Sequence, residues 1–137
     1  MATARASDEE MAERIAHHRA RRPATWLTLE ASTALAPQVG SLPTVNTIVV
    51  EDLTLLLSNH MESDAALAEE RTLAEVEALR ALRVNVLMVS NEVGMGLVPP
   101  YPLGRAFRDA LGRLNQAAAA ACDEVYLVVA GLPLRLK

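Results

Sequence analysis

Val86-Leu87-Met88-Val89-Ser90-Asn91-Glu92-Val93-Gly94-Met95-Gly96 decides the fold class. An apolar strand runs into Asn-Glu and then into a glycine-rich turn. In α/β proteins, ligands sit just beyond the carboxyl ends of such strands. Two other stretches repeat the theme. Thr47-Ile48-Val49-Val50 is a short apolar strand ending in Glu51-Asp52, and Val125-Tyr126-Leu127-Val128-Val129 is a third strand before Gly131. Near-continuous apolar strands alternating with helical segments imply an α/β fold, with a parallel sheet covered on both faces.

Working outward, Ser7-Asp8-Glu9-Glu10 has the form of a capping box, with Ser7 as the cap. The helix it opens is expected to run to about Arg21 and stop before Pro23. Met11, Ile15 and His18 share one stripe, and His17 lies about 100° around from His18. Residues 26–29 form a candidate strand ending at Glu30. Residues 31–46 form an irregular connector with at most one helical turn. Residues 53–60 are expected to be helical and to pack on the sheet. Ser63 is the expected cap of a helix to about Leu82, with Leu67, Leu73, Val76, Leu79 and Leu82 inside. Glu69, Glu70, Glu75, Glu77 and Arg80 make its solvated face. The strand at 84–90 leads to Pro99, Pro100 and Pro102, a stiff helix entry. Leu103, Phe107, Leu111, Leu114 and Ala118 then give one apolar stripe.

The totals narrow the function classes. A chain of 137 residues suits a single domain over 1–137. No run of 18 apolar residues is present, so no transmembrane helix is expected, and the start lacks the apolar stretch of a signal peptide. The single cysteine, Cys122, excludes an internal disulfide and any cysteine-only metal cluster. A cytoplasmic setting is the default. A net charge of −4 and an aromatic share of 3% argue against nucleic-acid binding. The only lysine is Lys137, so these residues contain no G-x-x-x-x-G-K-[ST] phosphate loop.

Several constellations carry chemistry, each with a plainer alternative. Glu51-Asp52 at a strand end can hold Mg²⁺ beside a nucleotide phosphate, or can cap a helix. Asn91-Glu92 can read a ligand or close a turn. Gly94-Met95-Gly96 can bring backbone N–H groups to an anion, or form an ordinary turn. His17-His18 is followed by Arg19, Arg21 and Arg22. A neutral imidazole can attack phosphorus and arginines can hold phosphate oxygens; the plain alternative is a solvated basic helix end. His17, His18 and His60 do not have zinc-ligand spacing.

Taken together, these residues resemble the bifunctional adenosylcobinamide kinase / adenosylcobinamide-phosphate guanylyltransferase family of cobalamin biosynthesis. The resemblance runs through Ala2-Thr3-Ala4, Asp8-Glu9-Glu10-Met11, Arg14-Ile15-Ala16-His17-His18, Arg22-Pro23, Trp26 and Glu30. It continues through Leu53-Thr54, Ser58-Asn59 and Ser90-Asn91-Glu92-Val93-Gly94-Met95-Gly96 with Val98-Pro99. Phe107-Arg108-Asp109, Gly112-Arg113-Leu114-Asn115-Gln116 and Val128-Val129-Ala130-Gly131-Leu132-Pro133 complete it. The order and spacing are specific, although each piece is ordinary alone.

The resemblance implies a P-loop NTPase fold of the RecA-like type. It implies phosphorylation of adenosylcobinamide by a nucleoside triphosphate. It then implies transfer of GMP from GTP, through a histidine, to adenosylcobinamide phosphate. By position His17 is the expected guanylylated histidine. Ala2, Thr3, Ala4, His18, Arg19, Ala20, Arg21, Glu30 and Glu51 are the expected nucleotide-binding residues, with Glu51 also the expected Mg²⁺ ligand. GTP and ATP are the implied nucleotides. The implied assembly is a homo-oligomer, with a trimer as first candidate.

Three departures stand out. The family begins with a strand, a lysine-bearing phosphate loop, a helix and a second strand, and this sequence starts where that unit would end. Asp52 stands where the family usually has cysteine, and Pro100-Tyr101-Pro102 replaces a more polar stretch. The first expectation is therefore the family enzyme without its N-terminal βαβ unit, through a misplaced start codon or a shortened gene, with weak or absent kinase activity. The DNA upstream of Met1 tests the start-codon version. The second expectation is a non-catalytic guanine-nucleotide or corrinoid binding module, which calorimetry with GTP and adenosylcobinamide phosphate separates from the first.

Overall fold

The computed structural model describes residues 1–40 and 45–137. Positions 41–44, part of the expected connector, lie outside the described residues. The chain divides into two compact units, Met1–Asn91 and Glu92–Lys137.

In the first unit, α1 spans Glu9–Ala20, α2 Leu35–Val39, β1 Thr47–Val50, α3 Leu53–Asp64, α4 Ala68–Arg80 and β2 Asn85–Met88. β1 and β2 pair in parallel, Thr47 opposite Asn85 and Val50 opposite Met88. The Met1–Thr3 backbone extends this sheet by single bridges. Ala2 lies parallel to both Glu30 and Glu51, with Ala2 N donating to Leu29 O at 2.8 Å and Thr3 N to Glu51 O at 2.9 Å. Buried Leu35, Ile48, Val50, Leu53, Leu56, Leu57, Val76 and Leu79 make the core of this unit. Each fully buried side chain of this size contributes about 1.5–3 kcal/mol.

Several local expectations shift by a residue or more. Asp8, not Ser7, caps α1, its carboxylate accepting from Met11 N at 2.8 Å; Ser7 instead donates to Asp8. The α1 stripe stays shallow, with Met11 and Ile15 half-buried and His18 exposed. Residues 26–29 form no strand; the one bridge to Ala2 falls at Glu30, the expected strand end. Ser63 does not begin a helix. It sits inside α3 and its hydroxyl bonds back to His60 O at 2.9 Å, a local alternative to capping. The helix break falls at residues 65–67, between α3 and α4.

The cover over the sheet is one-sided at β2. Val86 and Met88 are half-buried, whereas Leu87 is 56% exposed. Among the described residues, β1 is the only strand in ladder with β2.

In the second unit, a 3-10 turn at Val93–Met95 precedes α5, Pro102–Ala121. Pro102 stands in the first turn of α5, where its missing N–H costs nothing. The buried face of α5 is Ala110, Leu111, Leu114 and Ala118, while Leu103 is exposed and Phe107 half-buried. β3 (Tyr126–Val129) pairs antiparallel with β4 (Leu132–Arg135). The strand expected in a parallel sheet is thus one arm of a hairpin, turned by Ala130 and Gly131, both with positive φ. No helix among the described residues is long and apolar enough to cross a membrane.

Candidate functional site

The carboxyl end of β1 and the last turn of α1 meet around one carboxylate. Glu51 Oε2 lies 3.3 Å from Arg22 Nη2 and 3.5 Å from His18 Nδ1. Arg22 Nη1 makes a long contact with Thr28 Oγ1, 3.5 Å. Next to this cluster, Arg19 pairs with Glu30. Ala2 is bridged on one side to Glu30 and on the other to Glu51, so the two acids flank the same strand position.

The strand end is fixed from below. Thr3 is fully buried, and its hydroxyl accepts from Asp52 N at 2.7 Å. The same oxygen lies 3.0 Å from Glu51 O and 2.9 Å from Asp52 O, to either of which it donates. The Glu51–Asp52 peptide is cis. Asn59, also buried, donates to Thr3 O and to Ser32 O, each at 2.9 Å. It ties the stretch after Glu30 to the stretch before Ala4. Asp52 caps α3 through Leu55 N at 2.8 Å and accepts from Asn91 Nδ2 at 3.1 Å.

Within the first unit, the cationic end of α1 thus meets the two acids that flank Ala2. The Met1 amino group registers this field. Burial first, and the positive charge of Arg22 second, lower its pKa from the ordinary 8.0, while Glu51 opposes them.

The residues expected at the site separate into three groups. Ala2, His18, Arg19, Glu30 and Glu51 come together. Thr3 belongs to the same strand end, but its hydroxyl is taken up inside the fold. His17, Ala20 and Arg21 are exposed at the end of α1. The His17 ring has no side-chain partner among the described residues, and its carbonyl accepts from Arg21 N at 3.2 Å. Ala4 is half-buried beside Thr3. Arg22, read from the sequence only as one of three arginines able to hold phosphate, instead pairs with Glu51, and Asn59, given no role by the motifs, supports the strand end from within the fold. The Arg-Pro pair at 22–23 and the Ser-Asn pair at 58–59 were the available signals.

Other candidate features serve the fold. Gly94 N donates to Glu92 Oε1 at 3.2 Å and Gly96 N to Val93 O at 3.2 Å, so both glycine N–H groups are spent within the turn. Glu75, expected on a solvated face, is largely covered. It accepts from Ala34 N and Leu35 N at 2.8 and 2.7 Å and meets His60 Nε2 at 2.9 Å. His60 and Glu75 also line an apolar depression of about 340 Å³ with Thr33, Ala36, Pro37 and Ala78. Their polar atoms are committed to anchoring α2, so this depression lacks the free polar groups of a recognition site.

No group of three or more His, Cys, Asp or Glu side chains converges on a metal position among the described residues. Magnesium does not need one. It takes one or two carboxylates and completes its shell with water and phosphate. Glu51 Oε1 accepts no hydrogen bond among the described residues, so one hard oxygen at the strand end fits that requirement.

The sequence matches the model of the family described as cobinamide kinase / cobinamide phosphate guanyltransferase over residues 1–136. The bifunctional adenosylcobalamin biosynthesis protein CobP of Pseudomonas aeruginosa is 46% identical over 140 residues, covering all of this chain and 80% of that protein. The corresponding CobU proteins of Salmonella typhimurium and Escherichia coli are 40% and 38% identical over 152 residues, covering all of this chain and 84% of each. This chain belongs to the cobinamide kinase / cobinamide phosphate guanyltransferase family.

Proposed function

We propose that this protein is a cytoplasmic, homo-oligomeric enzyme of cobalamin biosynthesis, and that the 137 residues of this sequence belong to one domain and carry the guanylyl-transfer site. The observation that carries this reading is the end of α1. His18, Arg19 and Arg22 are engaged by Glu51 and Glu30, while the His17 ring stands exposed and unpartnered among the described residues. A nucleophile must be accessible, and its neighbours must be held.

A neutral His17 ring nitrogen attacks the α-phosphorus of GTP. The N–P bond forms, the bond to the bridging oxygen breaks, pyrophosphate leaves, and the other ring nitrogen gives up its proton. An oxygen of adenosylcobinamide phosphate then attacks the same phosphorus. The N–P bond breaks and the imidazole is restored, leaving the GMP unit on the corrinoid. Splitting the transfer into two displacements replaces one hard step with two easier ones. His18, Arg19, Ala20, Arg21 and Glu30 form the guanine-nucleotide side of the site, and Ala2, Thr3 and Ala4 its strand edge. Glu51 would hold Mg²⁺, which supplies charge neutralisation on the triphosphate.

The kinase half is a separate matter. The fold is of the P-loop NTPase, RecA-like type, in which a phosphate-loop strand would pair with β2 on the edge that no strand occupies among the described residues. These 137 residues hold no lysine before Lys137, so ATP-dependent phosphorylation of adenosylcobinamide lacks its phosphate cradle here. The transfer reading is tested by a chase. Protein labelled with [α-³²P]GTP is desalted and given adenosylcobinamide phosphate. Movement of label from protein to corrinoid supports the reading; label that stays on protein, or never attaches, refutes it.

A further inference from the structure

Of the two cationic side chains that meet Glu51, Arg22 is the less exposed. Its side chain is 19% exposed, against 57% for His18. A partly buried pair is screened less by water than an exposed one. Arg22 is therefore the firmer of the two tethers on Glu51.

Its place in the chain gives the tether a use. Arg22 lies just past α1, with Arg21 as the C-cap. Arg22 N donates to Arg19 O and Arg21 N to His17 O, both at 3.2 Å. Pro23 follows, its carbonyl accepting from Trp26 N at 2.9 Å. The backbone on both sides of Arg22 is thus held in short turns. A grip on the Arg22 side chain fixes the last turn of α1, and the last turn of α1 carries His17. No other ion pair links the β1 end to the backbone beyond α1 among the described residues.

We propose that Arg22 is a positioning residue for guanylyl transfer: by holding Glu51 Oε2 and touching Thr28 Oγ1, it fixes the end of α1 and so the place of His17. This rests on the reading of His17 as nucleophile. Arg22 need not touch the nucleotide. Misplacing a reacting atom by about 1 Å can cost on the order of 100-fold in rate, so loss of the tether shows in the rate of adduct formation more than in GTP affinity.

The test is the time course of the GMP adduct, followed by intact mass over a range of GTP concentrations. Arg22→Ala is expected to slow saturated adduct formation about 10- to 100-fold, with half-saturation moving less than about threefold, and Arg22→Lys to recover part of the loss. In a Glu51→Gln background, Arg22→Ala is expected to add little, because coupled residues are not additive. A rate within twofold of the parent overturns the proposal. So does a loss confined to half-saturation, which makes Arg22 a nucleotide contact, and so do effects of Arg22→Ala and Glu51→Gln that multiply.

The tether also has a readout without turnover. In NMR spectra of the ring Cε1–H groups, Arg22→Ala and the gentler Arg22→Lys are expected to move the His17 and His18 signals and leave His60 in place. Unmoved His17 and His18 signals overturn the tether. If the parent protein forms no adduct while those signals move, guanylyl transfer fails as a reading and the tether stands.

Discussion

Asn59 shows how one buried amide sets the spacing of a site it never faces. Its two N–H bonds go to the carbonyls of Thr3 and Ser32, which belong to the stretches that also bring Ala2 beside Glu30 and Glu51. Replacing Asn59 with Ala strands both acceptors, and a buried unsatisfied group costs about 1–3 kcal/mol. Asn59→Ala is thus expected to destabilise the protein by about 2–4 kcal/mol in urea unfolding; a loss below about 0.5 kcal/mol would contradict this role. At this scale the sequence was legible where chemistry is local. Asp52, weighed as a helix cap, does cap α3. It was not legible where the partner is distant. Glu75 sits among charged residues at helical spacing, yet it is drawn inward by Ala34 and Leu35, forty residues away in the chain. Nothing in its local pattern carries that information.

Among the elements, the β3–β4 hairpin is the sharpest case. Ala130 and Gly131 have φ of 51° and 77°, the signature of a type I′ turn, which prefers Asn-Gly. Glycine meets that geometry without cost, and alanine does not. Ala130→Asn is expected to raise stability by about 0.5–1 kcal/mol, and Gly131→Ala to lower it by about 1 kcal/mol. Opposite shifts of the thermal midpoint for the two variants check this, and shifts of the same sign would contradict it. The hairpin was partly legible. Gly131 after an apolar run marked the end of β3, but Pro133 obscured β4, since proline in a strand belongs to edges. The strand at 47–50 and the helix entry at Pro102 were legible because periodicity and punctuation agree there. The 26–29 segment had strand-like residues without a ladder to join.

At the scale of the whole molecule, apolar surface dominates the outlook. Val128, Val129, Leu132, Leu134 and Leu136 are all more than half exposed in the second unit, and Leu87 in the first. Open strand edges with apolar side chains invite pairing with other chains. The 137-residue chain is expected to self-associate in light scattering, and Leu134→Lys to reduce that association; a clean monomer at every concentration would contradict it. Without a lysine-bearing loop in these residues, phosphorylation of adenosylcobinamide is expected to be weak or absent, because positioning and charge stabilisation of the γ-phosphate both fail. Near-normal product formation by this chain would overturn that. The family was legible from ordered short motifs, whereas the grouping of Arg22, His18 and Glu51 needed the fold, because 29 residues separate Arg22 from Glu51. The most direct test of the central claim is intact mass after incubation with GTP and Mg²⁺, beside His17→Ala. An acid-labile gain the size of GMP that vanishes in the variant is the predicted result; no gain in either protein, or an equal gain in both, would contradict it.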